Sequence, residues 1–268
     1  MIKVEKDFSD IPSILKSKNR KEAFSKNIIA KSFDNGTKLY NPNKVKQRLY
    51  KIYHLKCAYC EKDIGDEPRN VEHYRPKDVY YWLGYSWDNL LLCCAKCNTS
   101  KGKKFETLND KVTYNNEEFE DIHRLSDRYD EIEKPKIINP EKEDVLEDII
   151  FNRDAIIDST NDRVKYTIDN VCKLNRDSLV EKRIQLLNTF IFAVTDYSFL
   201  FDKDNNQDKS QVIKPFISLI KRFIEDCKKE SEFYSLRYFI LNNIEIFFDN
   251  IQIQKIVKSL IIKIRTTS

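Results

Sequence analysis

Two C-x2-C pairs, Cys57/Cys60 and Cys94/Cys97, stand 33 residues apart in a chain of 268. Two residues between cysteines let a tight turn aim both thiolates at one ion, and two such knuckles complete the tetrahedral S4 shell of a structural zinc site. A metal shared by both knuckles forces two distant loops together, whatever lies between them. Zinc ribbons separate their knuckles by roughly 15–20 residues, so the longer gap here requires a folded insert. Cys93 leaves the assignment open by one place, although only Cys94-Ala95-Lys96-Cys97 keeps the two-residue gap. Disulfides are the competing use, and seven cysteines make an odd count. The N-terminal MIKVEKDFSD carries no signal peptide and reads as a mature cytosolic start, where disulfides are rare. Cys172 and Cys227 lie in apolar-periodic stretches and read as plain core residues.

The insert is dense in chemistry. Val71-Glu72-His73-Tyr74-Arg75-Pro76-Lys77 opens as a strand that Pro76 must end. An aromatic turn region follows from Tyr80 to Asn89, and Leu90-Leu91-Leu92 runs into the second knuckle. Directly after it come Asn98, Lys101, Gly102, Lys103 and Lys104. Alone, a histidine on a strand is usually structural and Asn89 would be a turn former. The combination is more specific.

In register, the first C-x2-C, the acid-His pair, Asn89 and C-x2-C-N-x2-K-G resemble the HNH endonuclease family with its ββα-metal core, over residues 57 to 105. The resemblance implies roles position by position. His73 is the general base that takes a proton from the attacking water, a task for an imidazole that titrates near working pH. Glu72, on the opposite side of the strand by its two-residue alternation, holds a catalytic ion together with Asn98. The family more often has Asp at the position of Glu72. So few protein oxygens leave positions open for phosphate and water, which suits Mg2+ or Mn2+. Asn89 corresponds to the family's middle Asn, whose side chain pins the loop and orients the base. His54 and His123 gain no such support: His54 reads as packing or capping a helix, and His123 sits in an acidic helical stretch.

Charge agrees with a polyanionic substrate. Residues 44–104 hold thirteen Lys and Arg against seven Asp and Glu, whereas residues 105–150 hold six against fifteen. The overall net charge of +4 hides this contrast. Arg75, Lys77, Lys101, Lys103 and Lys104 are the expected phosphate contacts, with aromatics such as Tyr74 and Trp87 available nearby.

The remainder reads as helical scaffold, since four glycines are too few for a many-turned β fold. The expected architecture is mainly α, with a small ββα nuclease core: an N-terminal helical segment at 1–43, the core with its knuckles at 44–110, and a mostly helical region at 111–268. Short helices are expected near Ile11–Leu15 and Arg20–Phe24, and a longer one over Lys44–Tyr53 after a break at Asn41-Pro42. Downstream, a β-like piece at Ile149–Phe151 precedes a helix pair over 161–187 broken near Asn175. A polar loop at 202–209 then leads to three more amphipathic helices. Their charges exclude membrane spans, which with the cytosolic start gives a cytoplasmic protein.

K-C-A-Y-C-E at 56–61, E-H-Y-R-P-K at 72–77, W-D-N-L-L-L at 87–92, the later I-N-P, and T-I-D-N and L-N-R at 167–176 narrow the likeness. They resemble the nuclease subunit of the Septu anti-phage system and retron-associated HNH effectors. That likeness implies a defence role on invading DNA beside an ABC or SMC-like ATPase. The alternatives are a zinc-dependent binding or assembly module without cleavage, and a solitary phage or intron-type nuclease.

Overall fold

The computed structural model describes residues 1–34, 43–67, 69–202 and 209–267. The break expected at Asn41-Pro42 and the loop at 203–208 lie outside the described residues. The chain divides into two compact units, Met1–Asp148 with Thr160–Lys173, and Ile149–Ser159 with Leu174–Ser268. No helix among the described residues is long and apolar enough to cross a membrane.

The first unit begins with a 3-10 turn at Ser13–Lys16 and helices α1 (Lys18–Ala30) and α2 (Asn43–Ile52). Helix α2 buries Val45 and Leu49, four residues apart and therefore on one face. After it, His54 and Leu55 take left-handed backbone angles, φ 49° and 57°, and turn the chain into the first knuckle. That knuckle is hydrogen-bonded to the sheet through Ala58 N–H to Leu92 O at 2.8 Å.

Strands β1 (Arg69–His73) and β2 (Leu90–Cys94) form an antiparallel hairpin that pairs Val71 with Leu92, Glu72 with Leu91 and His73 with Leu90. All five β2 residues are buried, which explains why this strand reads as an unbroken apolar run. Helix α3 (Ala95–Lys101) follows at once and packs on both strands. It ends at Gly102, whose φ of 48° lets its N–H reach back to Asn98 O. The result is the ββα order expected from the sequence. Helix α4 (Ser126–Glu133) and the short α5 (Asp162–Tyr166), which widens into a π turn at Thr167–Val171, complete this unit.

The second unit pairs β3 (Ile150–Phe151) with β4 (Ile157–Asp158), the β-like piece read at 149–151. Asn175 closes this hairpin by accepting from Ile157 N–H and donating to Ile157 O. The rest is helix: α6 (Asp177–Asp202), α7 (Lys209–Glu225), α8 (Tyr234–Asn242), α9 (Ile244–Phe247) and α10 (Ile251–Thr267). Helices α8 and α9 are separated at Asn243, whose φ of −136° is not helical. Phe190, stacked on Phe223 at 4.0 Å and edge-on to Phe248, anchors its core.

Candidate active site and metal centre

The hairpin and α3 carry two groups of reactive side chains. At one end, the Sγ atoms of Cys57, Cys60, Cys94 and Cys97 all lie within 4.8 Å of one another, and all four residues are buried. The Cys60–Cys94 pair, one residue from each knuckle, stands at 3.8 Å. Cys94 caps α3, its sulfur accepting from Cys97 N–H at 3.4 Å. The ambiguity between Cys93 and Cys94 is resolved by strand alternation. Cys94 joins the cluster, whereas Cys93 stays outside it with its Sγ 4.0 Å from that of Cys57. The thiol of Cys172 hydrogen-bonds to Cys97 and is the largest influence raising the Cys97 pKa. Sequence reading placed Cys172 in the core, where it is, without its tie to the cluster.

At the other end, β1 closes with Glu72 and His73. His73 is only 5% exposed. Its Nε2 lies 3.0 Å from Gly84 O; a carbonyl can only accept, so Nε2 carries the proton and Nδ1 the lone pair. Burial is the main force holding the His73 pKa down to about 3, with Lys77 and Lys101 adding to it, so the imidazole is neutral at physiological pH but, contrary to the expectation from sequence, does not titrate near working pH. The Glu72 carboxyl is buried too. Its Oε1 accepts from Lys101 Nζ at 2.9 Å, and the same ammonium donates to His73 O at 2.7 Å. Burial raises the Glu72 pKa, and Lys101 is the largest opposing influence. Half-buried Asn98 lies one turn before Lys101 on the same face of α3, which brings an amide to the side of the helix that meets Glu72. Asn89 acts through backbone. Its Oδ1 accepts from Arg75 N–H at 2.7 Å and its Nδ2 donates to Arg75 O and Leu83 O. It thus ties the start of the loop that leaves β1 to the turn that carries Gly84.

Residues 57–104 match the family model for HNH endonuclease. The chain carries an HNH endonuclease domain. It is a nuclease, and the hairpin with α3 is the framework of that domain. The chain is also similar to a Septu protein PtuB of Bacillus mycoides (strain KBAB4), 25% identical over 265 residues, spanning 78% of this chain and 87% of that protein. A second Septu protein PtuB, from Bacillus thuringiensis, is 39% identical over 70 residues, 25% of this chain and 27% of its own length. The first alignment reaches well beyond the 48 residues of the HNH match.

The basic residues of the HNH domain divide sharply. Arg75, expected at phosphate, is instead buried among Tyr74, Tyr80, Phe105 and Tyr129, with its guanidinium 5.3–5.9 Å from each ring. It donates to Glu133 at 2.9 Å, Asp130 at 2.6 Å and Ser126 at 3.1 Å. Lys101 is likewise wholly buried in its contacts with Glu72 and His73 O. Neither reaches the surface, because each neutralises a carboxylate that packing would otherwise strand. Tyr74 and Trp87, the aromatics read as available nearby, are also buried. Tyr74 donates to Ile137 O, and Trp87 lies under the Lys6 ammonium. On the outside are Lys103, 2.6 Å from Asp78, and Lys104, which donates to Asn170 O. Lys77 is half-buried, its ammonium 4.8 Å from the ring of Phe33.

Phe33 is the site residue that sequence reading missed. It follows α1, is itself buried, and stands edge-on to His73 at 6.1 Å and against Tyr85 at 5.3 Å. Its ring leaves no room for a side chain at position 84, which accounts for the glycine whose carbonyl holds His73. The only hint in the sequence was that glycine, one of four in the chain.

Proposed function

We propose that this HNH nuclease is the DNA-cutting effector of a Septu-type anti-phage system, acting in the cytoplasm with an ATPase partner. The observation that carries the catalytic part is the hydrogen bond from His73 Nε2 to Gly84 O. It fixes the tautomer in which Nδ1 carries the lone pair, at the end of the strand that also bears Glu72. In this reading His73 Nδ1 takes the proton of the attacking water. Asn89 keeps the His73 loop and the Gly84 turn in register by its three side-chain hydrogen bonds. Glu72 and Asn98 supply a carboxylate and an amide oxygen, the hard donors that Mg2+ or Mn2+ prefers. Such an ion would bind a phosphate oxygen and offset charge on the leaving 3′ oxygen. Lys77, Lys103 and Lys104 are the phosphate contacts of this scheme. The products carry 5′-phosphate and 3′-hydroxyl ends.

The four cysteines fit zinc. Zn–S bonds of about 2.3 Å in a tetrahedron give sulfur–sulfur edges of about 3.8 Å, the separation of Cys60 and Cys94. All four positions are filled by sulfur, so this ion holds the frame and leaves no place for substrate. The defence assignment is supported by the similarity to two Septu proteins, one along most of its length.

Plasmid nicking with Mg2+ or Mn2+ tests the scheme. His73→Ala is expected to lower the rate by about 10²–10⁴-fold, with zinc content and unfolding midpoint unchanged. Nicking at the wild-type rate by that variant removes His73 from the mechanism and favours a binding module or another base. Co-purification with the products of neighbouring genes tests the ATPase.

A further inference from the structure

We propose that Lys101 is the resident counter-charge of the catalytic metal position, keeping Glu72 neutralised in the metal-free protein and setting the site's affinity for a divalent ion low. The inference rests on Glu72 being a metal ligand, as proposed above. Lys101 closes α3 with its side chain fully buried. Its ammonium spans two consecutive residues of β1, 2.9 Å from Glu72 Oε1 and 2.7 Å from His73 O.

A carboxylate as buried as Glu72 is costly to leave alone, so the helix supplies a cation from within the fold. The second bond, to His73 O, holds the ammonium in place independently of Glu72. An ion arriving at Glu72 therefore shares one carboxylate with a fixed positive charge. Asn98, one turn earlier on the same helix face, adds only a neutral oxygen. Away from solvent that repulsion is poorly screened, and it opposes binding. A residue that merely shaped the pocket would act in the opposite direction, since its loss would loosen the ligands and weaken the ion.

The full-length protein distinguishes the two by Mn2+ titration followed by electron paramagnetic resonance of the free ion. Lys101→Met removes the charge at similar length, and Lys101→Gln also keeps a donor for His73 O. Either variant, with its zinc intact, is expected to bind Mn2+ about tenfold more tightly than wild type. Its unfolding midpoint should rise more on adding Mn2+ than the wild-type midpoint does. Affinity unchanged or weakened overturns the proposal. If Lys101→Met fails to fold, the Gln variant gives the answer. Glu72→Gln in the wild-type background checks the foundation separately and should abolish this Mn2+ binding. Binding as in wild type by Glu72→Gln would sink the ligand assignment itself. Loss in Glu72→Gln without tightening in the Lys101 variants sinks only the counter-charge role of Lys101.

Discussion

The sulfur cluster and the Glu72–His73 pair lie at opposite ends of one hairpin, and the protein treats them differently. The cluster is closed: two knuckles and the start of α3 bring four thiols together. At the other end the protein itself engages Glu72 through Lys101 and His73 Nε2 through Gly84 O. A structural site gains by being closed. A candidate reactive site must be held in shape while its substrate is absent, and at this end internal charges and carbonyls hold Glu72 and His73. Burial alone therefore does not separate frame from chemistry; the identity of the partners does.

The strongest way to break this contrast is at the cluster. Structural zinc contributes about 10–16 kcal/mol of apparent binding energy in small zinc modules, comparable with the whole stability of a domain. Cys97→Ser is expected to lose zinc and leave the first unit unfolded at 25 °C. Both tryptophans, Trp82 and Trp87, are buried in that unit, so their fluorescence reports it directly. A variant that keeps native emission without zinc would show the cluster to be dispensable.

The next effect comes from Arg75, which belongs to the frame although it lies two residues from His73. Arg75→Met leaves Glu133 buried without its cation and is expected to cost about 3–5 kcal/mol, read as a lower urea midpoint. Wild-type stability would contradict the internal role of Arg75.

The smallest effect uses the other buried histidine. His123 accepts from Trp87 N–H at Nδ1, and burial holds its pKa down to about 4. The folded protein thus refuses a proton that the unfolded chain takes up near the ordinary histidine value of about 6.5. Its stabilising contribution is complete above that value and is lost as pH falls from there towards 4. The slope is about 1.4 kcal/mol per pH unit. In unfolding series from pH 7.5 to 5, His123→Gln should lack this part of the slope while still nicking DNA. Loss of nicking would mean that His73 is not the only histidine the reaction needs.

Local spacing made much of this legible. The knuckles, the acid-His pair at a strand end and the helix after Cys94 follow from short-range pattern, as does the amphipathic α2. The fate of the charges does not. Arg75 and Lys101 look in sequence like Lys103 and Lys104, but their partners Asp130, Glu133 and Glu72 are 29 to 58 residues away. Only the packed chain shows which cations are buried in ion pairs. Phe33 was invisible for the same reason, arriving over His73 from 40 residues upstream with no motif of its own. The tie of Cys172 to Cys97 spans 75 residues of chain and is equally silent in the sequence.

Phe33 over His73 has a consequence for how often the enzyme can act. If His73 is the base, as proposed, its small exposed surface means that DNA reaches it only when the side chains around it move aside. By the ordinary relation between free energy and population, an opening cost of about 2.8 kcal/mol leaves it uncovered about 1% of the time. A cell that houses a DNA-cutting enzyme carries its own chromosome within reach at every moment. In the proposed scheme, chance collision with that chromosome would be mostly unproductive, because burial of His73 as well as affinity for DNA would limit cutting.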